Sequence, residues 1–177
     1  GPFIISDIIG GGSGARPNAD GVQGAFCPTG NARNIPAEVL ENDCPIRITR
    51  YELCTDSGGA GKFRGANALV KEYLILCDRA QLFIRSDRQK FEPWGLAGGM
   101  PGAKSANILI HADGTTEHLP SKIARDVVRG DRIIHRQAGG GGYGESSDRD
   151  RALVESDRVQ GYISEERHAW WQRQIAG

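Results

Sequence analysis

PIRITRYELCTDSGGAGKFRGANALVKEYLILC, residues 45–77, holds the reading on which the fold turns. Its first ten residues alternate apolar and polar through Ile46 and Ile48. They then slip phase to Tyr51 and Leu53, as a strand carrying one extra residue does. Its last twelve, ANALVKEYLILC (66–77), are rich in strand formers and place Val70, Leu74 and Leu76 on one face. Between them TDSGGAGKFRGAN (55–67) packs four glycines around Lys62. Two strands joined by a glycine-dense crossing predict a β architecture, with Asp56 and Arg64 as the tie inside the crossing.

The same signals recur outward. FIISDII (3–9) predicts a short buried strand, and GGGSGARPNADG (10–21) a loop, because glycines, Pro17 and Asp20-Gly21 crowd into it. QLFIRSD (81–87), ANILIHAD (106–113), TTEHL (115–119) and DRIIHRQ (131–137) continue the strand series, and Asp113-Gly114 marks a hairpin. Many short strands with glycine turns predict a mainly β (α+β) fold with a β-sandwich or barrel-like core. The tail differs. Ser147–Val159 and Glu165–Ile175 predict two short helices, with Ser147 and Asp150 as a capping box and Gly161 closing the first. Ser164 before Glu165 and Glu166 opens the second, which Trp170 and Trp171 anchor on the β core or on a partner. The predicted division is a β-rich domain over 1–146 and a helical tail over 147–177.

Composition limits the chemistry. Lysine plus arginine equals aspartate plus glutamate at 22 each, which gives no basic field for nucleic acid. No apolar run approaches the roughly 20 residues of a membrane span, so no membrane partner is predicted. Cys27, Cys44, Cys54 and Cys77 are too scattered for a zinc site and read as reduced, packed cysteines of a cytoplasmic protein, so no metal site is predicted. The only methionine is Met100, and the sequence reads as a piece or a cleavage product of something longer.

The glycine loops fail as nucleotide sites. A phosphate loop needs a hydroxyl after Gly-Lys, and Phe63 stands there instead. Gly10, Gly12 and Ala15 follow a predicted strand, but Pro17 disfavours a helical Arg16 where the nucleotide helix should start. The run Gly139, Gly140, Gly141 and Gly142 has two readings. It is a slack surface loop, or a backbone that must come close to a ligand or another chain, with Tyr143 as a lid or stacking group. Charged residues gather beside the loops as Arg16 with Asp20, Asp56 with Arg64, and Arg85 with Asp87 and Arg88. These are ion pairs pinning long loops, or a substrate-binding set of Arg16, Asp20, Arg85, Asp87 and Tyr143. No catalytic residue is assigned.

In order, GGGSGARPNADG, NARNIPAEVLE, PIRITRYELCTDSGGAGKFRGANALVKEY, EPWGLAGGMPG and AGGGGYG with its helical tail resemble the C-terminal part of the hydantoinase B/oxoprolinase family. The resemblance implies a component of an ATP-dependent enzyme that opens cyclic amides (hydantoins, 5-oxoproline), or of a related ketone carboxylase. A lactam carbonyl is a poor electrophile, and phosphorylating its oxygen creates a better leaving group. Implied partners are the N-terminal remainder of the B-type subunit, an A-type ATP-binding subunit and a small-molecule substrate. ATP with magnesium, and a divalent metal, are then expected elsewhere in the complex. The alternative is a non-catalytic β-rich module that scaffolds the assembly.

Overall fold

A computed structural model of the protein describes residues 3–25 and 34–176. Cys27 and the start of the NARNIPAEVLE segment fall outside them. Seven strands follow a short helix α1 (Ala37–Asp43): β1 (Ile46–Cys54), β2 (Ala68–Ile75), β3 (Arg79–Arg85), β4 (Ala106–Ile110), β5 (Thr116–Leu119), β6 (Lys122–Val128) and β7 (Arg132–Arg136). β1, β2, β7, β4 and β5 form one antiparallel sheet in that order, and β3 pairs with β6 in a second. Ile46, Ile75, Leu109, Leu119 and Ile133 of the large sheet share one core with Val127, Leu82, Ile84 and Ile123 of the small one. The expected mainly β fold, with two sheets around a common core, is what forms.

Local rules account for most elements. The β1–β2 register slips between Ile48 and Arg50, where the apolar alternation changes phase. Gly114 takes φ +89° between β4 and β5 at the predicted hairpin. One expectation needs correction, and two further features were not read from the sequence. Residues 3–9 join no strand, although their side chains alternate between half-buried and exposed and Phe3 and Ile5 pack on the core. β2 is covered on both sides, and the face entering the shared core carries Tyr73 and Ile75. β6 and α1 gave no clear sequence signal. β6 is mostly exposed, and α1 begins after Pro36 without a side-chain cap and buries only Leu40.

The glycine segments form a second structural unit. Residues 138–142 are buried and run between three other stretches of backbone. Gly139 donates to the Ala103 carbonyl (2.9 Å), Gly140 to Ala66 (2.8 Å) and Gly142 to Met100 (2.9 Å). Their carbonyls accept in turn: Gly140 from Gly59 N (2.8 Å), Gly141 from Ala15 N (2.9 Å) and Gly142 from Leu96 N (2.9 Å). A methyl added to Gly139, Gly140, Gly141 or Gly142 would strike the backbone oxygen of Ser57, Ser13, Trp94 or Ala60 respectively. The first and last belong to the same stretch, so the facing direction repeats every third residue, as in a polyproline II rod. Only a chain without Cβ atoms can be surrounded this closely. A slack surface loop is excluded, and the close approach is to backbone of this same chain, which corrects the expected ligand or second chain.

The tail lies against this unit. A short 3-10 turn (Ser146–Asp148) precedes α2 (Arg151–Val159), which starts later than predicted because Asp150 itself is the N-cap, accepting from Ala152 N at 2.8 Å. Gly161, at φ +72°, ends α2. In α3 (Glu165–Ala176) the Ser164 hydroxyl accepts from Arg167 N at 3.1 Å. Trp171 is buried with Ala60, Val154 and Ile163, which fixes the tail on the glycine loop. No helix among the described residues is long and apolar enough to cross a membrane.

Candidate functional site

Charged residues divide into those that hold the fold and those that face open space. Arg149 has a fully buried side chain and sits 5.3 Å over the Trp171 ring. It binds both Asp20 oxygens (2.8 Å each) and Asp157 (2.6 Å). Asp157 also takes two bonds from Arg64, at 2.9 and 3.0 Å. Burial pushes the Asp20 carboxyl up, but the Arg149 guanidinium and the Arg64 amide outweigh it and hold it below the usual carboxylate range. The network ties the 10–24 loop, the glycine crossing and the tail together. Asp56 does not meet Arg64. It caps the chain entering α3 through Ser164 N at 2.9 Å, which corrects the expected tie.

Open space lies beside the start of the glycine rod, at Ala138 and Gly139. A cleft of about 390 Å³ is lined by Ile9, Gly11, Gly12, Arg85, Ser86, Asp87, Arg88, Pro93, Gln137, Ala138 and Gly139. Arg85 closes β3, and the turn after it is clamped by Ser105, whose hydroxyl donates to the Asp87 carbonyl and whose amide donates to Arg88 O at 3.1 Å. Arg88 holds φ +64°, a backbone state that costs a non-glycine residue about 1–3 kcal/mol. Its guanidinium lies 4.8 Å over the Trp94 ring. Among the described residues neither Arg85 nor Arg88 is in an ion pair. Two cations, an exposed carboxylate and glycine backbone around one cleft suit a small polar ligand carrying both donor and acceptor groups.

Behind the cleft a line of buried and half-buried polar side chains crosses the inner face of the large sheet. Asn107 Nδ2 donates to Ser86 Oγ (2.8 Å) and to the Pro120 carbonyl (3.4 Å). Its Oδ1 therefore faces His135 Nδ1. His135 Nε2 lies 2.9 Å from Gln137 Nε2, which also donates to the Ile9 carbonyl. Burial pulls the His135 pKa down, and Asp7 only partly opposes it, so the ring is neutral near pH 7. Deeper still, Asp7 Oδ2 takes 2.6 Å bonds from Lys71 Nζ and the Tyr73 hydroxyl, while its Oδ1 is buried without a partner. Burial and the Asp7 bond drive the Tyr73 pKa far up, so it stays protonated.

Of the residues proposed from the sequence, Arg85, Asp87 and Gly139 come together in the cleft. Arg16 is exposed, with its backbone bridged to Ala19. Asp20 has both oxygens engaged by arginine, and Tyr143 is half-buried in backbone bridges to Phe63 and Leu96. Gly140, Gly141 and Gly142 are inside the rod. Ser86, Gln137, His135 and Asn107 escaped sequence reasoning. Their signal was there: the period-two pattern of DRIIHRQ puts 133, 135 and 137 on the core face, and a histidine and a glutamine at inward positions need partners.

The glycine crossing itself does not fit a phosphate. The amides of Gly59, Lys62, Phe63, Gly65 and Ala66 all donate to backbone carbonyls, and Gly58 N to Asn67 Oδ1, so none of these is free to wrap an anion. Among the described residues no three His, Cys, Asp or Glu side chains gather as metal ligands.

Comparison with known proteins gives a consistent picture. The family model described as hydantoinase B/oxoprolinase matches residues 1–146. The chain is 41% identical over 155 residues to an uncharacterised protein of Methanocaldococcus jannaschii, covering 88% of this chain and 27% of that one. It is 32% identical over 167 residues to the B-type subunit of a putative D-/L-hydantoinase from a Pseudomonas strain, covering 93% of this chain and 28% of the relative. The solved structure of an ATP-dependent caprolactamase from Pseudomonas jessenii superposes with a TM-score of 0.75 at 31% identity, over 87% of this chain and 28% of that one. The chain thus spans a little over a quarter of the length of these relatives.

Proposed function

This chain belongs to the hydantoinase B/oxoprolinase family, and from that premise we propose that it is the C-terminal part of a B-type subunit in an ATP-dependent enzyme that opens cyclic amides. The observation that carries the reading is the cleft beside the glycine rod. Its two unpaired arginines, the Asp87 carboxylate and Gln137 offer hydrogen-bond donors and acceptors within one small-molecule-sized space. Arg85 and Arg88 suit the carbonyl or carboxylate oxygens of a hydantoin or an oxoproline. In this reading ATP and magnesium bind to an A-type partner and supply activation of the amide carbonyl, while the residues of this chain bind and orient the ring. The glycine rod supports them as a stiff wall, since its backbone hydrogen bonds run in three directions at once.

The test is coexpression of the complete B-type subunit with its A-type partner, assayed for ATP-dependent opening of hydantoin, 5-oxoproline and caprolactam. Arg85→Ala and Arg88→Ala should raise KM for the preferred substrate while the complex elutes unchanged in gel filtration. Absence of ATP-dependent opening of every member of the panel would refute the proposal. One observation favours a scaffolding role. Phe91, Trp94, Leu96 and Met100 lie exposed along a single loop, a concentration of apolar area that suits a subunit contact. If Arg85→Ala and Arg88→Ala leave KM unchanged and substitutions at Phe91 and Leu96 disperse the complex, the scaffold reading replaces the catalytic one.

A further inference from the structure

The polar line behind the cleft is fixed at each end by a backbone carbonyl, a group that can only accept hydrogen bonds, and the Ser86 hydroxyl beside the first gives its own proton to Ser121 O. At one end the Pro120 carbonyl and Ser86 Oγ receive the Asn107 amide nitrogen (3.4 and 2.8 Å). That sets the Asn107 oxygen against His135 Nδ1, which must then carry the ring proton. A neutral His135 has only a lone pair at Nε2, so the group 2.9 Å away must donate, and that group is the Gln137 amide nitrogen. At the other end the Ile9 carbonyl receives the second proton of the same nitrogen. Gln137 therefore has one orientation. Its nitrogen is saturated from behind, and its oxygen is the end left over. Among the described residues no donor reaches Gln137 Oε1. Nor is it one of the buried orphaned atoms, which are Asp7 Oδ1, Gln23 Nε2, Arg136 Nε and Arg149 Nε. It belongs to a residue that lines the cleft and keeps contact with solvent.

We propose that Gln137 Oε1 is the cleft's fixed acceptor for a ligand N–H, that His135 is the positioning residue that locks it, and that the ligand is an unsubstituted cis amide. A cis amide presents its N–H and C=O on the same edge. Gln137 meets the first, and Arg85 or Arg88 across the cleft meets the second. An amide free to rotate would offer donor and acceptor equally and could not tell an N–H from an N-methyl group. The locked amide can, because a methyl in that place meets an oxygen with no donor to give it and leaves that acceptor unpaired. Discrimination of this kind follows from the cost of an unsatisfied polar group rather than from the size of the pocket.

The inference rests on the proposed cyclic-amide activity, and the experiment separates the two. In the assembled enzyme, kcat/KM is measured for a lactam bearing N–H and for its N-methyl counterpart, with thermal melting recorded for each variant. Wild type should prefer the N–H lactam. Gln137→Leu, which removes the acceptor, should lower kcat/KM for the N–H lactam by about tenfold, the worth of one hydrogen bond, and leave the N-methyl lactam within about twofold. Gln137→Glu keeps an acceptor and should keep the preference. His135→Leu frees the Gln137 amide to turn, and should raise KM for the N–H lactam several-fold with kcat little changed. Equal losses on both lactams, or none, in Gln137→Leu would overturn the proposal. If that variant does not assemble, loss of the preference in Gln137→Glu overturns it. A wild-type enzyme that opens no lactam at all refutes the parent reading and takes this one with it. A wild type that opens both lactams equally refutes only this one.

Discussion

Replacing Gly140 by alanine tests the glycine rod inside its enclosed stretch. Its added methyl lies against the Ser13 carbonyl oxygen, with Ser13 C and Gly14 N behind it, inside the 3.0 Å that real Cβ atoms essentially never show. Every neighbour is backbone, so no side chain can swing aside. Relief requires about 1 Å of main-chain displacement in a packed interior, an overpacking change that costs about 1–3 kcal/mol. That displacement pulls on three bonds: Gly140 N to Ala66 O (2.8 Å), Gly59 N to Gly140 O (2.8 Å) and Ala66 N to Ser13 O (2.9 Å). Each buried bond left unmade adds about 1–3 kcal/mol. The restricted unfolded chain offsets only about 0.4–1 kcal/mol. Breaking one bond then gives a net loss of about 1–6 kcal/mol, or a fall in melting temperature of about 2–24 °C for a chain of this length. Gly14→Ala is the matched control. Its methyl meets nothing closer than Gly141 O at 3.8 Å, and it should melt at or slightly above wild type. Calorimetric melts of both variants decide the matter. A Gly140→Ala protein as stable as wild type would show that the rod is not packed as described.

Three further outcomes follow from the same structure. Arg149→Met leaves Asp20 without a guanidinium and Asp157 with that of Arg64 alone, and should cost about 3–5 kcal/mol in urea unfolding, because a part-buried carboxylate then lacks its partner. A loss below about 1 kcal/mol would contradict the buried network, and pairing it with Asp20→Asn, which removes the orphaned charge, should recover part of the loss. For pH, the His135 pKa is depressed in the folded state, so below the ordinary value of 6.5 the unfolded chain binds more protons and stability falls as pH drops toward the folded value. Melting at pH 7.5 and 5.5 should show this fall in wild type and a smaller one in His135→Leu, whereas the depressed Asp20 carboxyl acts only below its ordinary value of 3.8. Calorimetric titration of the chain with Mg-ATP should give no micromolar binding, since the crossing's amides are engaged, and a micromolar isotherm would refute that account.

Short-range rules in the sequence determined most of the strands, the Asp113-Gly114 hairpin and the caps at Gly161 and Ser164. They did so because side-chain alternation, φ preference and capping depend on residues a few positions apart. They misjudged FIISDII, whose composition and alternation suit a strand but which finds no ladder partner, and they missed β6, whose partner β3 and not its own pattern makes it a strand. Partner choice lay beyond them altogether. Asp56 and Arg64 are eight positions apart and look like a pair, yet Arg64 binds Asp157, 93 positions away, and Asp20 binds Arg149, 129 positions away. The four glycines between 139 and 142 were equally compatible with a slack loop and a crowded axis, because glycine permits both and compels neither. Only the convergence of three distant backbone stretches on that run, and of Asn107, His135 and Gln137 on one face of the sheet, decided what they do. Such contacts depend on how the whole chain closes, and no local pattern carries that information.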